Sequence, residues 1–410
     1  MTASQKRSIP HPVVWTILYL PFGALYGFGS VALTNVASQR GIRISEAAII
    51  IASAMMINWL KWLWAPVVDI TLTPRTWYVV STLLSGAGVF AMSAVPLDRE
   101  HFPFLILVIA AANFVNSVVG MAVEALIAGS IPPDHAGSVS GWFQAGSLGG
   151  AGLGGGLGLY LLVHLPKAWM SGAIMAVLIC TCCAALAFAP EVPSHHRGRG
   201  PWMAVRGVTG DLWAMLRTKG GRQTAILCVL PIGTGAAQGV LTQDAVAKYW
   251  GAGSDQVALT QGLLSGVVTM AGCFIGGFLC RRFHPRVAYP GTALVLAAIA
   301  VAMGLAPHEP MDYIVWSMIY ALGVGIAWAS FTAVVLDAIG PGSGATKYNV
   351  FASIANFPVW WLGLLLGYVA DKGGSRGASW MLFTEAALGV AGVAIFALTA
   401  KRVSPLTGIF

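Results

Sequence analysis

The 410-residue sequence predicts an all-α membrane protein of twelve transmembrane helices in two six-helix halves. Three observations carry that expectation. The chain is 57% hydrophobic and only 9% charged, whereas a soluble domain holds about 25% charged residues. Apolar runs of roughly 20 residues, the length that crosses a bilayer core, recur from end to end. One long polar and basic connection, residues 191–221, separates six such runs from six more.

The runs fall near residues 13–37, 45–66, 77–97, 103–129, 138–163, 168–190, 222–247, 255–280, 287–306, 311–339, 350–371 and 379–400. Breaks such as "RGIR", "PPDHAG", "HLPK", "GPGSGATK" and "DKGGSRG" carry the Pro, Gly and charge expected of loops. The first run is too long for a signal-peptide core and has no small-residue cleavage site after it, so it reads as a retained helix. The fifty glycines suit membrane helices. The expected division is therefore 1–190 for the first half, 191–221 for the linker and 222–410 for the second half. Within the linker, "MAVRGVTGDLWAMLR" has helical periodicity suited to a membrane surface.

The net charge of +8 has no aromatic platform or basic stripe around it, which excludes a nucleic-acid reading. Its basic residues concentrate instead in the linker and in "RRFHPR". The positive-inside bias places these, with both termini, in the cytoplasm; Arg40 and Arg43 run against it. All six cysteines lie inside apolar runs, where they read as reduced core residues. No nucleophile elbow or metal-ligand spacing occurs, so neither enzyme, metal nor cofactor is expected.

The halves echo each other. "AVEALIAGSIPPDHAGSVSGWF" joins helices four and five, and "AVVLDAIGPGSGATKYNVF" joins helices ten and eleven. Each runs from Ala-Val through an acid, Glu124 or Asp337, to a Pro/Gly loop. Phe143 then aligns with Phe351. Two repeated halves with a basic linker are the layout of a secondary transporter, whose site lies between them.

Two segments carry a family resemblance. "KWLWAPVVD" (61–69) ends helix two, and "GATKYNVFASIANFP" (344–358) opens helix eleven. Through them the chain resembles the major facilitator superfamily, and within it the branch of AmpG muropeptide permeases and acetyl-CoA transporters. The stretch "VEALIA" departs from that branch's helix four, which has Asp and then Ala-Tyr-Arg. The branch also contains siderophore importers. The resemblance thus implies a class of solute and not one substrate. It further implies that helices one, four, seven and ten line the cavity.

A lysine in a membrane helix costs about 2.5–3.5 kcal/mol near its centre on insertion scales. Lys61 has three readings. It snorkels to the interface among Trp59, Trp62 and Trp64, it pairs with Glu124 or Asp69 at a gate, or it touches substrate. Pro66 should end helix two, and Asp69 should cap or latch the loop after it, holding a neighbouring helix N-terminus through its dipole. Lys347, in the second segment, joins Lys61 and Asp69 as a gate or latch candidate.

On helix four, Asn113, Asn116, Ser117, Gly120 and Glu124 share one face. Such a stripe either glues helices together or lines a water-filled cavity. Glu124 is the first candidate for proton coupling, and its mirror Asp337 the second. Tyr19 and Tyr26 on helix one, Asn113 and Asn116 on helix four, Gln238 on helix seven and Tyr320 on helix ten are candidates for the substrate cavity. Gly146, Gly150, Gly154 and Gly158 form an i, i+4 ridge for close helix contact and lack the ending of a phosphate loop.

The expectation is a monomeric secondary transporter of a bacterial inner membrane. It takes up a medium-sized polar solute, muropeptide-like or siderophore-like, with protons, and has lipid and that solute as its partners. The alternatives are a proton-coupled exporter and, from another class, a non-transporting sensor or a membrane enzyme.

Overall fold

A computed structural model describes residues 10–39, 56–192, 200–253, 256–257, 260–340 and 342–403. Every secondary-structure element among them is helical. Nine described helices are long and apolar enough to cross a membrane. They are helix one (Val13–Ala37), three (Pro74–Ala94), four (Phe102–Ser130), five (Ala136–His164) and six (Ala168–Phe188), then nine (Pro285–Leu305), ten (Pro310–Ile339), eleven (Gly344–Lys372) and twelve (Gly374–Ala400). The other three expected spans are interrupted among the described residues.

Helix two departs from expectation. Its first part and the loop with Arg40 and Arg43 lie outside the described residues. Pro66 does not end it: a 3-10 turn at Lys61–Leu63 is followed by a further helical piece, Ala65–Ile70. Pro66 stands in the first turn of that piece, where a missing N–H costs nothing. Helix seven, expected as one run over 222–247, is broken. Lys219–Val229 is followed by a non-helical stretch and then by Ala236–Leu241. The stretch contains Pro231, Gly233 and Gly235, and both glycines take positive φ, which glycine adopts at no steric cost. Helix eight is Ser265–Arg282, entered through a π-turn at Thr260–Leu264.

The glycine-rich helix five lies between helices one and eight. A Cβ at Gly146, Gly150, Gly154 or Gly158 would collide with Thr16, Leu20, Ala24 or Phe28 of helix one; at Gly150 it would sit 2.7 Å from the Leu20 carbonyl oxygen. On the other side Gly137, Gly141 and Gly152 press against Cys280, Cys273 and Gly266 of helix eight. The first half therefore meets the second along two helices with little side chain between their backbones, as small-residue packing in lipid allows.

Each half has its own apolar core. One is built on Leu25, Phe28, Val89, Ile109 and Ile179, the other on Val240, Leu296, Met303, Leu362 and Met381. A third cluster crosses between the halves at the end of the bundle that carries the linker. It joins Val14, Val123 and Phe143 to Phe331, Phe351 and Leu227, with Met215 of the linker helix Pro201–Arg217 packed beneath. Residues 193–199 of the linker lie outside the described residues. Large apolar side chains such as Leu84, Leu107, Val177, Leu305 and Leu364 are exposed on the outside of the bundle, where lipid takes the place of water.

Candidate functional site

Helix four turns its polar stripe inward, and the stripe ends at Glu124, which is 0% exposed. Three other helices, from both halves, converge on this carboxylate. The Tyr19 hydroxyl of helix one donates to Oε1 at 3.0 Å. The Asn349 amide of helix eleven donates to Oε2 at 2.5 Å. Lys61 Nζ of helix two stands 3.5 Å from Oε1. A carboxylate in lipid-embedded protein needs such partners, because burial strips its hydration.

Lys61 does not snorkel. It is 5% exposed, and its ammonium lies 5.8 Å from the Phe22 ring centroid as well as beside Glu124. The 3-10 turn at Lys61–Leu63 turns the lysine inward while Trp59 and Trp62 remain exposed on the lipid side. Trp64 faces in, and its indole N–H donates to Ser117 Oγ at 3.0 Å.

Two turns further on, Asp69 crosses between the halves. Its Oδ2 accepts from the Thr346 amide at 2.8 Å and from the Thr346 hydroxyl at 2.7 Å; its Oδ1 accepts from the Ala345 amide at 3.3 Å. These amides are unpaired donors of the first turn of helix eleven, so Asp69 caps that helix from the other half of the protein. The two segments behind the family resemblance thus touch each other. Lys347, in the same turn, is buried and donates through Nζ to the Ile339 carbonyl at 3.0 Å, closing the C-terminal end of helix ten. The linker helix joins this cluster through Asp211, whose Oδ2 accepts from Ser343 Oγ at 2.6 Å.

The mirror acid Asp337 is arranged differently from Glu124. It pairs with Arg286 of helix nine at 2.6 Å, and both side chains are partly exposed. Arginine carries a fixed charge, so this is a standing ion pair.

The other candidates mostly serve neighbouring helices. Asn113 Nδ2 donates to the Ile109 carbonyl at 2.9 Å within its own helix, and Asn116 Nδ2 donates to the Phe22 carbonyl of helix one at 2.8 Å. Tyr19 lies between the rings of Phe22 and Phe143. Tyr26 is half-buried on helix one. Gln238 Nε2 donates to Ser265 Oγ of helix eight at 3.3 Å. Tyr320 is buried, and its hydroxyl donates to Glu385 Oε2 at 2.6 Å. Some polar atoms on helices four and eleven are left over: Asn116 Oδ1, Asn349 Oδ1 and Ser353 Oγ are buried with no protein partner. Buried polar atoms are normally bonded.

Sequence reasoning does not single out Asn349, Ser353, Arg286, Asp211 or Glu385. Glu385 does carry a signal, as an acid inside an apolar run. The pairings of the others depend on elements far apart in the chain. Among the described residues, no cluster of His, Cys, Asp or Glu has the arrangement of a metal site, and all six cysteines are free thiols.

The family model described as Major Facilitator Superfamily matches residues 14–359. The chain is similar to the crystal structure of the E. coli fucose:proton symporter FucP, with a TM-score of 0.67, 14% identity, and 96% of this chain and 98% of that chain covered. It is also similar to the human organic anion transporter MFSD10, with a TM-score of 0.66, 15% identity, and coverage of 94% and 98%. A third similar structure is the proton:xylose symporter XylE, with a TM-score of 0.65, 14% identity, and coverage of 95% and 96%. These likenesses extend over nearly the whole of each chain and rest on a shared helical arrangement. The protein belongs to the major facilitator superfamily.

Proposed function

We propose that the chain is a proton-coupled importer of a medium-sized polar solute, muropeptide-like or siderophore-like, that works by alternating access in a bacterial inner membrane. Fold alone does not carry coupling or substrate. The observation that carries this reading is Glu124, a fully buried carboxylate that one cation, Lys61, faces at 3.5 Å and that Asn349 ties to the opposite half. Ionised, it accepts from both halves and holds them together. With a proton bound, it loses its charge towards Lys61 and one of its accepting oxygens. Proton occupancy therefore biases whether the linker end stays closed, as an allosteric ligand does.

The contact between "KWLWAPVVD" and "GATKYNVF" supports the AmpG-like branch. The unpartnered Asn116, Asn349 and Ser353 atoms support a polar solute. One proton entering across 100 mV supplies about 2.3 kcal/mol. At about 1.4 kcal/mol per decade, that sustains roughly 40-fold accumulation of a neutral solute.

In this reading the linker and both termini are cytoplasmic, and a periplasm-active reporter fused at Gly200 is silent. The function itself is tested in proteoliposomes. Muropeptides, siderophores, acyl-CoA and common drugs are first screened by thermal shift, and any binder is then followed in uptake driven by an inward proton gradient. Wild type accumulates the binder, whereas Glu124→Gln still exchanges it across the membrane but does not accumulate it. Accumulation by Glu124→Gln at the wild-type level removes Glu124 from coupling.

A further inference from the structure

Helix twelve carries one acid in its interior, Glu385, and the coupling role proposed for Glu124 makes no use of it. The side chain is 7% exposed. Its Oε1 accepts from the Ala237 amide at 3.2 Å, and its Oε2 accepts from the Tyr320 hydroxyl at 2.6 Å. Among the described residues, no lysine, arginine or histidine stands within ion-pairing distance of it. Glu124 has Lys61 and Asp337 has Arg286. Glu385 differs from both in having only neutral donors.

Among the described residues, the helices around it carry their other charged groups near their ends, and His308, from the loop before helix ten, meets helix twelve at Ser379. Helix ten presents Tyr320; its other ionisable groups, Asp312, Tyr313 and Asp337, lie near its ends. Helix nine has Arg286 and Tyr289 in its first turns, the former paired with Asp337 and the latter donating to the Ile232 carbonyl. Helix eleven holds Lys347 and Tyr348 at its start and Tyr368, Asp371 and Lys372 at its end. Helix seven contributes backbone amides and Thr234. An isolated carboxylate in such surroundings is costly, and the usual escape is to take up a proton.

What Glu385 holds gives this consequence. The Ala237 amide belongs to the first turn of Ala236–Leu241, the second piece of the broken helix seven. That piece comes after two positive-φ glycines, Gly233 and Gly235, and is otherwise tied by Gln238 to Ser265 and by its Leu241 carbonyl, which accepts from the Tyr313 hydroxyl at 2.7 Å. An ionised Glu385 accepts at both oxygens and grips the piece. When one oxygen binds a proton, the group becomes neutral, that oxygen turns donor, and the hold on an amide N–H weakens.

We infer that Glu385 is a second proton-binding site, in the second half of the protein, whose occupancy decides whether the second piece of helix seven is held or released. Its place in a transport cycle rests on the proton-coupled function proposed for the chain; its protonation and its grip on helix seven do not.

The test uses the full chain in lipid nanodiscs without substrate. Infrared difference spectra between acidic and alkaline buffer report the carbonyl stretch of a protonated buried carboxyl. Hydrogen exchange of the segment 231–243, corrected for the intrinsic pH dependence of amide exchange, reports the hold on helix seven. In wild type the carboxyl band grows with acid and the segment exchanges faster. In Glu385→Gln that band is lost and the segment's exchange no longer depends on pH, whereas Glu124→Gln keeps both responses. Tyr320→Phe retains the carboxyl and removes one donor, so its band persists with a displaced titration midpoint; this variant carries the test if Glu385→Gln does not fold. A carboxyl band in Glu385→Gln that is unchanged from wild type in position and amplitude overturns the proposal, as does unchanged pH dependence of the segment, or a Tyr320→Phe titration identical to wild type. If Glu124→Gln accumulates solute normally while Glu385→Gln loses both signals, the role of Glu124 falls and that of Glu385 stands.

Discussion

Asp69, at the end of helix two, caps the first turn of helix eleven through the Thr346 amide at 2.8 Å and the Thr346 hydroxyl at 2.7 Å, so one half of the protein finishes a helix of the other. A carboxylate at a helix N-terminus satisfies orphan donors and meets the positive end of the helix dipole. In the proposed alternating-access cycle, the same contact has to break for the linker end to open.

Removing this cap therefore loosens that end. Asp69→Ala is expected to cost about 0.5–2 kcal/mol, the range for losing a helix cap. Ser353 is buried one turn beyond Asn349. A cysteine placed at 353, in a protein whose six native cysteines are replaced, should react faster with a soluble thiol reagent once Asp69 is alanine. Equal labelling rates with and without Asp69 mean that the contact does not hold the halves together.

The Lys61–Glu124 pair should reveal itself as coupling. Truncating one member of a buried pair strands the other and costs about 3–5 kcal/mol. Lys61→Ala should lower the melting temperature sharply, and adding Glu124→Gln should restore part of the loss. A double-mutant cycle reads the interaction, which for contacting residues is about 0.5–3 kcal/mol. Additive effects would show that the two side chains do not share an interaction in the folded protein.

Asp337 faces an arginine and not a lysine, with an oxygen 2.6 Å from Arg286 Nη2. Asp337→Asn should lower stability, because the guanidinium loses its counter-charge, and should leave the number of protons moved per solute unchanged. The readout is the reversal potential of uptake in proteoliposomes. A lost proton with intact stability would transfer a coupling role to Asp337.

The glycine ridge of helix five should not tolerate a methyl group. At Gly154 an added Cβ would overlap the Ala24 backbone carbonyl of helix one, and backbone cannot rotate aside. Gly154→Ala is expected to cost about 1–3 kcal/mol, as overpacking does. Gly210, in the linker helix, has open space around it, and Gly210→Ala should stabilise by up to about 1 kcal/mol. Thermal melts of the two variants, compared with wild type, give opposite signs.

Much of the architecture is legible in the sequence, because a span announces itself by length and hydropathy alone. Helix two shows where that legibility stops. Its motif puts Lys61, Pro66 and Asp69 in the right order but suggests the wrong effect for Pro66. A proline interrupts a helix only where its missing N–H and its ring meet a preceding turn, and the 3-10 turn at Lys61–Leu63 removes that conflict by starting a new helix. Helix seven reads as continuous because "LPIGTG" is apolar enough to satisfy a hydropathy window, although Pro231, Gly233 and Gly235 are together a strong break signal.

By itself, the sequence determined that the chain is an all-α protein that lives in lipid, and which face of helix four is polar. These depend on local composition and on the 3.6-residue period, which neighbouring residues carry between them. Only the tertiary structure decided who partners whom. Lys61 could snorkel or pair, and its burial beside Glu124 depends on the position of a helix some 60 residues away. Asn349 meets Glu124 from the other half, and Glu385 meets an amide freed by a break in helix seven. A buried charge is tolerable only through groups brought to it by the fold. The identity of those groups is a property of packing, and no window of sequence contains both sides.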